Sequence, residues 1–202
     1  MSDIRYLKEF SYEIIKNGEC DSVIYFFMAE RIHLEPVRNV EIVLVYPYDW
    51  NSQMTPWKYN GTGMEKTGEG DRFIEAFMDI FGSKDKNRYI GGYSLGGLMA
   101  MYMAYRCDGF DGVASVSGSM WYPGAIEFFS EKSIKENIKK VYISIGKKEA
   151  LTKNSERAAV EANTVRLVNV LEKKCETVFE MNEGGHFTDI VKRVEKAITA
   201  LT

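Results

Sequence analysis

Gly92-Tyr93-Ser94-Leu95-Gly96 sets a serine among glycines at the junction of two unlike segments. Before it stands the run Arg88-Tyr89-Ile90-Gly91-Gly92, which reads as a strand; after it the chain opens through Leu95-Gly96-Gly97-Leu98 into a segment that is apolar nearly all round. Strand, sharp turn and helix in that order force the serine into a strained backbone conformation and expose its hydroxyl above the sheet edge, where it can attack a carbonyl. Side chains two positions before and two after would collide in such a turn, which accounts for Gly92 and Gly96, and Gly97 lets the helix pack closely on the sheet. The N-terminus of the helix points its free N–H groups at the site, and the Leu95 N–H is the natural donor to an oxyanion. The plainer alternative is a tight turn in which Ser94 only caps the helix.

A serine hydroxyl needs a base beside it. The chain holds two histidines, His33 and His186. His186 sits in Glu183-Gly184-Gly185-His186-Phe187, between the last candidate strand and the last helix, at the same sheet edge as the Ser94 turn. His33 precedes the serine and has no comparable setting. For the acid that would orient the imidazole, Asp108 and Asp111 fall before a strand, at its wrong end. Glu149, in Gly146-Lys147-Lys148-Glu149, follows a strand at the correct end. Glu183, three residues from His186, is its rival, and either glutamate can instead be a solvated loop charge.

The elements that must carry these residues alternate short apolar runs with amphipathic segments. That pattern belongs to an α/β fold, a mostly parallel sheet with helices on both faces. Six strands are expected: Val23–Phe27, Glu41–Tyr46, Arg88–Tyr93, Gly112–Ser117, Val141–Ile145 and Thr177–Met181. Helices are expected over Asp71–Phe81, with Asp71 as its cap, over Leu95–Cys107, over Glu156–Lys174 and over Thr188–Leu201. Residues 51–70 have no periodicity and several glycines, and are read as a candidate lid or substrate rim. The 202 residues fit one domain, 1–202.

Bulk properties narrow the classes. A net charge of −3 and the absence of any basic cluster argue against nucleic acid as a partner. Three widely spaced cysteines offer neither a disulfide framework nor a CxxC metal site, and acyl transfer through a serine needs no metal and no organic cofactor. No stretch has the length needed to span a bilayer, and the start of the chain carries an early acid without an apolar run after it. A cytoplasmic location is the resulting expectation.

These residues together resemble the esterase branch of the α/β-hydrolases that includes enterochelin (siderophore) esterases, feruloyl and acetylxylan esterases, and esterase D. The resemblance is carried by Gly-Tyr-Ser-Leu-Gly-Gly at 92–97, Ser-Gly-Ser-Met-Trp-Tyr at 117–122, Gly-Lys-Lys-Glu at 146–149 and Gly-Gly-His-Phe at 184–187. It covers the chain from about residue 20 onward. It implies an α/β-hydrolase domain in which Ser94, Glu149 and His186 form the catalytic triad of a carboxylic ester hydrolase acting on a small-molecule ester. Relatives commonly place a glycine in the loop that supplies the second oxyanion donor. Here that strand runs into Phe27-Met28-Ala29-Glu30, so the donor would be the backbone N–H of Met28 or Ala29 without a glycine to ease its approach.

The N-terminal part leaves room for one edge strand before Val23, which implies a reduced sheet whose edge a homodimer would cover. Trp50, Trp57, Tyr59, Trp121 and Tyr122 fall on loops after strands and can form an apolar acyl or aryl pocket, or simply anchor those loops. Two further readings stay open: an acyltransferase using the same triad, and a non-catalytic binding domain on the same fold.

Overall fold

Runs rich in Val, Ile, Phe and Tyr, apolar on both faces, are the pieces from which a parallel sheet buried between layers is assembled. In the computed structural model, which describes residues 4–60, 66–82 and 85–202, they do so. The strands are β1 (Arg5–Tyr6), β2 (Phe10–Ile15), β3 (Ser22–Phe27), β4 (Val40–Pro47), β5 (Asn87–Tyr93), β6 (Gly112–Val116), β7 (Lys140–Gly146) and β8 (Glu176–Asn182). They form one eight-stranded sheet in the order β1-β2-β4-β3-β5-β6-β7-β8. β2 pairs antiparallel with both β1 and β4, and the remaining pairings, from β4 through β3 to β8, are parallel.

The six expected strands are all present, extended by a residue at most ends. The sheet is not reduced, because two strands rather than one precede Val23. Phe10 and Tyr12 of β2 are buried against Phe73, Phe77 and Phe81, which ties this antiparallel strand to the α2 side of the sheet. The edge argument for a homodimer therefore loses its premise. At one edge β1 is two residues long, and at the other β8 carries Glu176 and Glu180, both of which discourage further pairing.

Seven helices are described: α1 (Trp50–Gln53), α2 (Gly70–Phe81), α3 (Leu95–Arg106), α4 (Ala125–Glu131), α5 (Ser155–Ala158), α6 (Val160–Leu171) and α7 (Ile190–Leu201). Helices α2, α3, α4 and α6 cover one face of the sheet through Phe73, Phe77, Leu98, Met101, Phe129 and Leu167. The other face packs on α7 and on the irregular connector between β3 and β4, through Val194, Ile198, Met28 and Leu34. Helix α3 is buried along almost its whole length, as its uniform hydrophobicity requires.

Three boundaries differ from expectation. The long helix over 156–174 breaks at Ala159 into α5 and α6. Asp71 does not cap α2; its carboxylate accepts from the Tyr102 hydroxyl instead, and Glu69 occupies the cap position. Helix α7 begins at Ile190, after Asp189 in the left-handed region.

The stretch 51–70 is only partly a loop. Its start is α1, and its described parts are tied together by Glu69 N–H to Ser52 O (2.9 Å), Gly70 N–H to Thr55 O (3.1 Å) and Gly68 N–H to the Thr55 hydroxyl (2.8 Å). Residues 61–65 of this candidate rim lie outside the described residues. Among the described residues no helix is long and apolar enough to cross a membrane.

The strand order has a functional consequence. From β3 the chain steps to one side to make β4, then returns to the other side of β3 to make β5. A crevice opens at the carboxyl ends of the strands where the direction reverses, between β3 and β5. Ser94 follows β5 directly, and Met28 and Ala29 follow β3.

Candidate active site

Ser94 takes φ 60° and ψ −122°, a backbone conformation that a non-glycine residue holds only when its surroundings enforce it. The surroundings do. Its N–H donates to Val116 O (3.0 Å), its carbonyl accepts from Ser119 N–H (3.0 Å), and α3 begins at once behind it. A Cβ at Gly92 would lie 2.2 Å from the Gly96 carbonyl carbon, and one at Gly96 would lie 2.6 Å from Phe27 O. The turn can close only because both positions are glycine. Gly97 has the same role toward β5 and β6, where a Cβ would meet Gly92 O at 2.9 Å.

The turn presents the serine to His186. Ser94 Oγ lies 3.0 Å from His186 Nε2, and His186 Nδ1 lies 2.7 Å from Glu149 Oε2. With its proton on Nδ1 the ring donates to Glu149 and accepts from the serine hydroxyl at Nε2. The ring is held from the end of β5 as well: the Tyr93 hydroxyl donates to His186 O, and the Tyr93 ring packs edge-on against the imidazole.

Glu149 is the most constrained member. Its side chain is 3% exposed, and its second oxygen accepts from Gly146 N–H (2.7 Å), the Ser117 hydroxyl (2.8 Å) and Arg193 Nη1 (3.2 Å). Burial pushes the carboxyl pKa up, but the bonds from His186, the Gly146 N–H and Ser117 outweigh it and hold the group below its ordinary value. Glu183 is placed differently. Its carboxylate is exposed and paired with Lys147, and only its carbonyl enters the network, accepting from Arg193 Nη2 (2.8 Å).

Arg193 and Ser117 were not singled out from sequence. Arg193 is 1% exposed and donates to Glu149, to Ser117 and to the carbonyls of Glu183 and Gly185, so it ties the acid to the loop that carries the base. A signal existed: with Ile190, Val194, Ala197 and Ile198 it falls on the apolar stripe of α7, where a solvated arginine has no place. Ser117 has φ 49°, which a sequence pattern does not disclose.

The two candidate oxyanion donors from the β3 end separate cleanly. Met28 N–H is committed to Val45 O (3.0 Å), which extends the sheet ladder by one bond. Ala29 N–H has no such partner among the described residues, and Ala29 lines the cleft with Leu95, whose N–H is likewise free at the start of α3. Met28 is therefore corrected to a structural position.

These groups open into a cavity of about 670 Å³ lined by Ser94, Leu95, Ala29, His186, Trp50 and Trp121 among others. Three of the five candidate aromatic side chains, Trp57, Tyr122 and Tyr59, do not line it. Trp57 packs on Tyr102, Tyr122 and Phe128 and donates to Pro123 O (2.8 Å), away from the cavity wall. Tyr122 is 1% exposed, with its hydroxyl on Trp57 O. Both anchor the loops after β4 and β6, the role a buried ring with one polar atom commonly plays. Tyr59 lies against Tyr122 and bonds Glu156.

The model of the family described as Putative esterase matches residues 72–187, more than half of the chain. Among curated proteins, the uncharacterized protein YbbA of Bacillus subtilis (strain 168) is 32% identical over 90 residues, which is 44% of this chain and 36% of that protein; the match thus spans about a third of the relative's length. Among solved structures, siderophore hydrolase EstB from Aspergillus nidulans superposes with a TM-score of 0.70 at 14% identity, covering 100% of this chain and 94% of that one. An IroE-like serine hydrolase from Shewanella oneidensis gives 0.67 at 16% identity, covering 95% and 74%. At such identities the structures speak for a shared α/β-hydrolase fold, and the family model speaks for membership. The chain belongs to the Putative esterase family.

Proposed function

We propose that the protein is a carboxylic ester hydrolase working through an acyl-enzyme on Ser94. The observation that carries this reading is the unbroken relay Ser94–His186–Glu149, 3.0 and 2.7 Å long, with the serine on a strained turn at the wall of a cleft. Family membership and the serine-hydrolase and siderophore-hydrolase names of the similar structures agree with it.

In this mechanism His186 removes the proton from Ser94 Oγ as that oxygen attacks the ester carbonyl carbon. The carbonyl oxygen becomes an oxyanion, which accepts from the N–H groups of Leu95 and Ala29. Glu149 keeps the imidazole in the reactive tautomer and balances the imidazolium charge. As the tetrahedral intermediate collapses, the C–O bond to the alcohol breaks and His186 returns the proton to the leaving oxygen. Water, deprotonated by His186, then attacks the acyl carbon, and the serine leaves with that proton while the acid is released. No step needs a metal or a cofactor.

The absence of a glycine near Ala29 does not close the oxyanion site, because the donor is a backbone N–H at a position where Met28 already satisfies the sheet. The test is a fluorophosphonate probe followed by mass spectrometry, with hydrolysis of a short p-nitrophenyl ester alongside. Labelling confined to Ser94, and turnover abolished by Ser94→Ala, are expected. Labelling elsewhere, or none on the folded protein, would sink the proposal.

A further inference from the structure

Four carboxylate or guanidinium side chains line the cleft: Glu30, Arg31, Glu149 and Arg157. Two are internally neutralised. Glu149 is held by His186 and Arg193, and Arg31 bonds Glu13, a carboxylate that is 4% exposed on β2 (3.0 Å). Arg157, on α5, has no ion pair among the described residues. Its guanidinium lies over the Trp121 ring, 5.4 Å from the centroid, and Trp121 is itself a cleft wall. The carboxylate beside it in sequence, Glu156, is already engaged by the Tyr59 hydroxyl.

A guanidinium stacked on an indole gives up little further freedom when it binds, and its edge N–H groups stay available for a carboxylate. The other cleft charge without an ion pair among the described residues, Glu30, follows β3, whereas Arg157 belongs to the segment after β7. Those strands are three places apart in the sheet, roughly 14 Å, with the Ser94 strand between them. The cleft is thus polarised, with a negative group on one side of the serine and a positive group on the other.

From this polarity we infer that the preferred ester carries an anionic group, such as a carboxylate, on the arm that points toward β6 and β7, and that Arg157 on its Trp121 platform receives it. This specifies the substrate class for the ester hydrolase proposed above and rests on that reading. Arg157 is a specificity-determining residue; the reacting atoms are handled by Ser94, His186 and the two N–H groups. The Glu30 side disfavours an anion, so a substrate with charge on both arms is a poorer fit than one with charge on a single arm.

The experiment compares two matched pairs at low salt: mono-p-nitrophenyl glutarate against p-nitrophenyl pentanoate, and 4-acetoxybenzoate against its methyl ester. The first pair puts the charge on the acyl arm, the second on the alcohol arm. In the wild-type protein one anionic member should exceed its neutral partner about tenfold in kcat/KM, equivalent to ~1.4 kcal/mol. That preference should shrink at high salt. It should vanish in Arg157→Gln and persist in part in Arg157→Lys, which keeps the charge but loses the planar fork.

No preference in the wild type, or the same preference in Arg157→Gln, overturns the inference while leaving the hydrolase intact. Failure of the wild type to hydrolyse even the neutral esters, with Ser94 unlabelled by fluorophosphonate, is the separate result that removes the hydrolase reading itself.

Discussion

The two oxygens of Glu149 are not equivalent: Oε2 faces His186 Nδ1, whereas Oε1 accepts from Gly146 N–H, Ser117 and Arg193. Substitution by glutamine therefore has a defined outcome. The amide oxygen must stay on the side with three donors, which turns the NH2 toward His186 Nδ1. The imidazole then carries its proton on Nε2 and can no longer accept one from Ser94. We expect Glu149→Gln to lower kcat/KM on a p-nitrophenyl ester by about 10²–10⁴ with the fold preserved. Glu183→Gln, which touches only Lys147 through its carboxylate, should stay within about twofold. Equal losses in the two variants would refute the assignment.

The sequence left this choice open because both glutamates lie at the same sheet edge. Only the return of Glu149 beneath the base, and the burial of Arg193 beside it, distinguishes them. Ser94 and His186 were legible for the opposite reason, since their roles depend on local glycines and on order along the chain.

At the scale of elements, the distance between α3 and the end of β3 sets the geometry of the two oxyanion donors. Gly96 controls that distance: a Cβ there would meet Phe27 O at 2.6 Å and the tip of the Trp50 ring at 3.0 Å. The first contact is backbone and cannot rotate away. Gly96→Ala should push α3 from β3, destabilise the fold by about 1–3 kcal/mol, and separate Leu95 from Ala29. Loss of one donor costs about 10²–10³ in kcat. Thermal unfolding and steady-state kinetics on the same sample would check both parts, and an unchanged kcat would mean that Ala29 is not a donor.

The apolar runs of β3 to β7 gave away the sheet because parallel strands buried on both faces have no polar alternation to blur them. Strand β2, the short helices α1 and α4, and the break at Ala159 were hidden. Each is shorter than the window over which periodicity can be read.

For the whole molecule, the acid limb of stability depends on carboxylates held ionised in the fold. Glu149 has its folded pKa depressed below the ordinary 4.5. A depressed carboxylate contributes stability that is present above its unfolded pKa and is lost as pH falls through the folded one. Glu41 and Glu180 are shifted the same way, burial opposing and lysine partners prevailing. The Tm of the wild type should therefore decline as pH drops below about 4.5. In Glu149→Gln the decline should be shallower, from a lower neutral value because Arg193 is left buried without its carboxylate. Parallel curves for the two proteins would show that Glu149 does not contribute to acid sensitivity.

The connector from β3 to β4 contains no helix, yet Met28 and Leu34 seal one face of the sheet while Ala29, Glu30, Arg31 and Ile32 line the cleft. One dozen residues are at once roof and doorway. In most α/β proteins a helix covers the sheet and a separate loop faces the ligand, so the loop can diverge while the helix keeps the core closed. Here the two duties share one stretch of chain, and the Arg31–Glu13 bond anchors it from beneath. Any change that reshapes this side of the doorway also disturbs the roof. Diversification of substrate choice is therefore easier from the opposite bank, around Trp121, Thr152 and Arg157, where the cleft wall can vary with the sheet still covered.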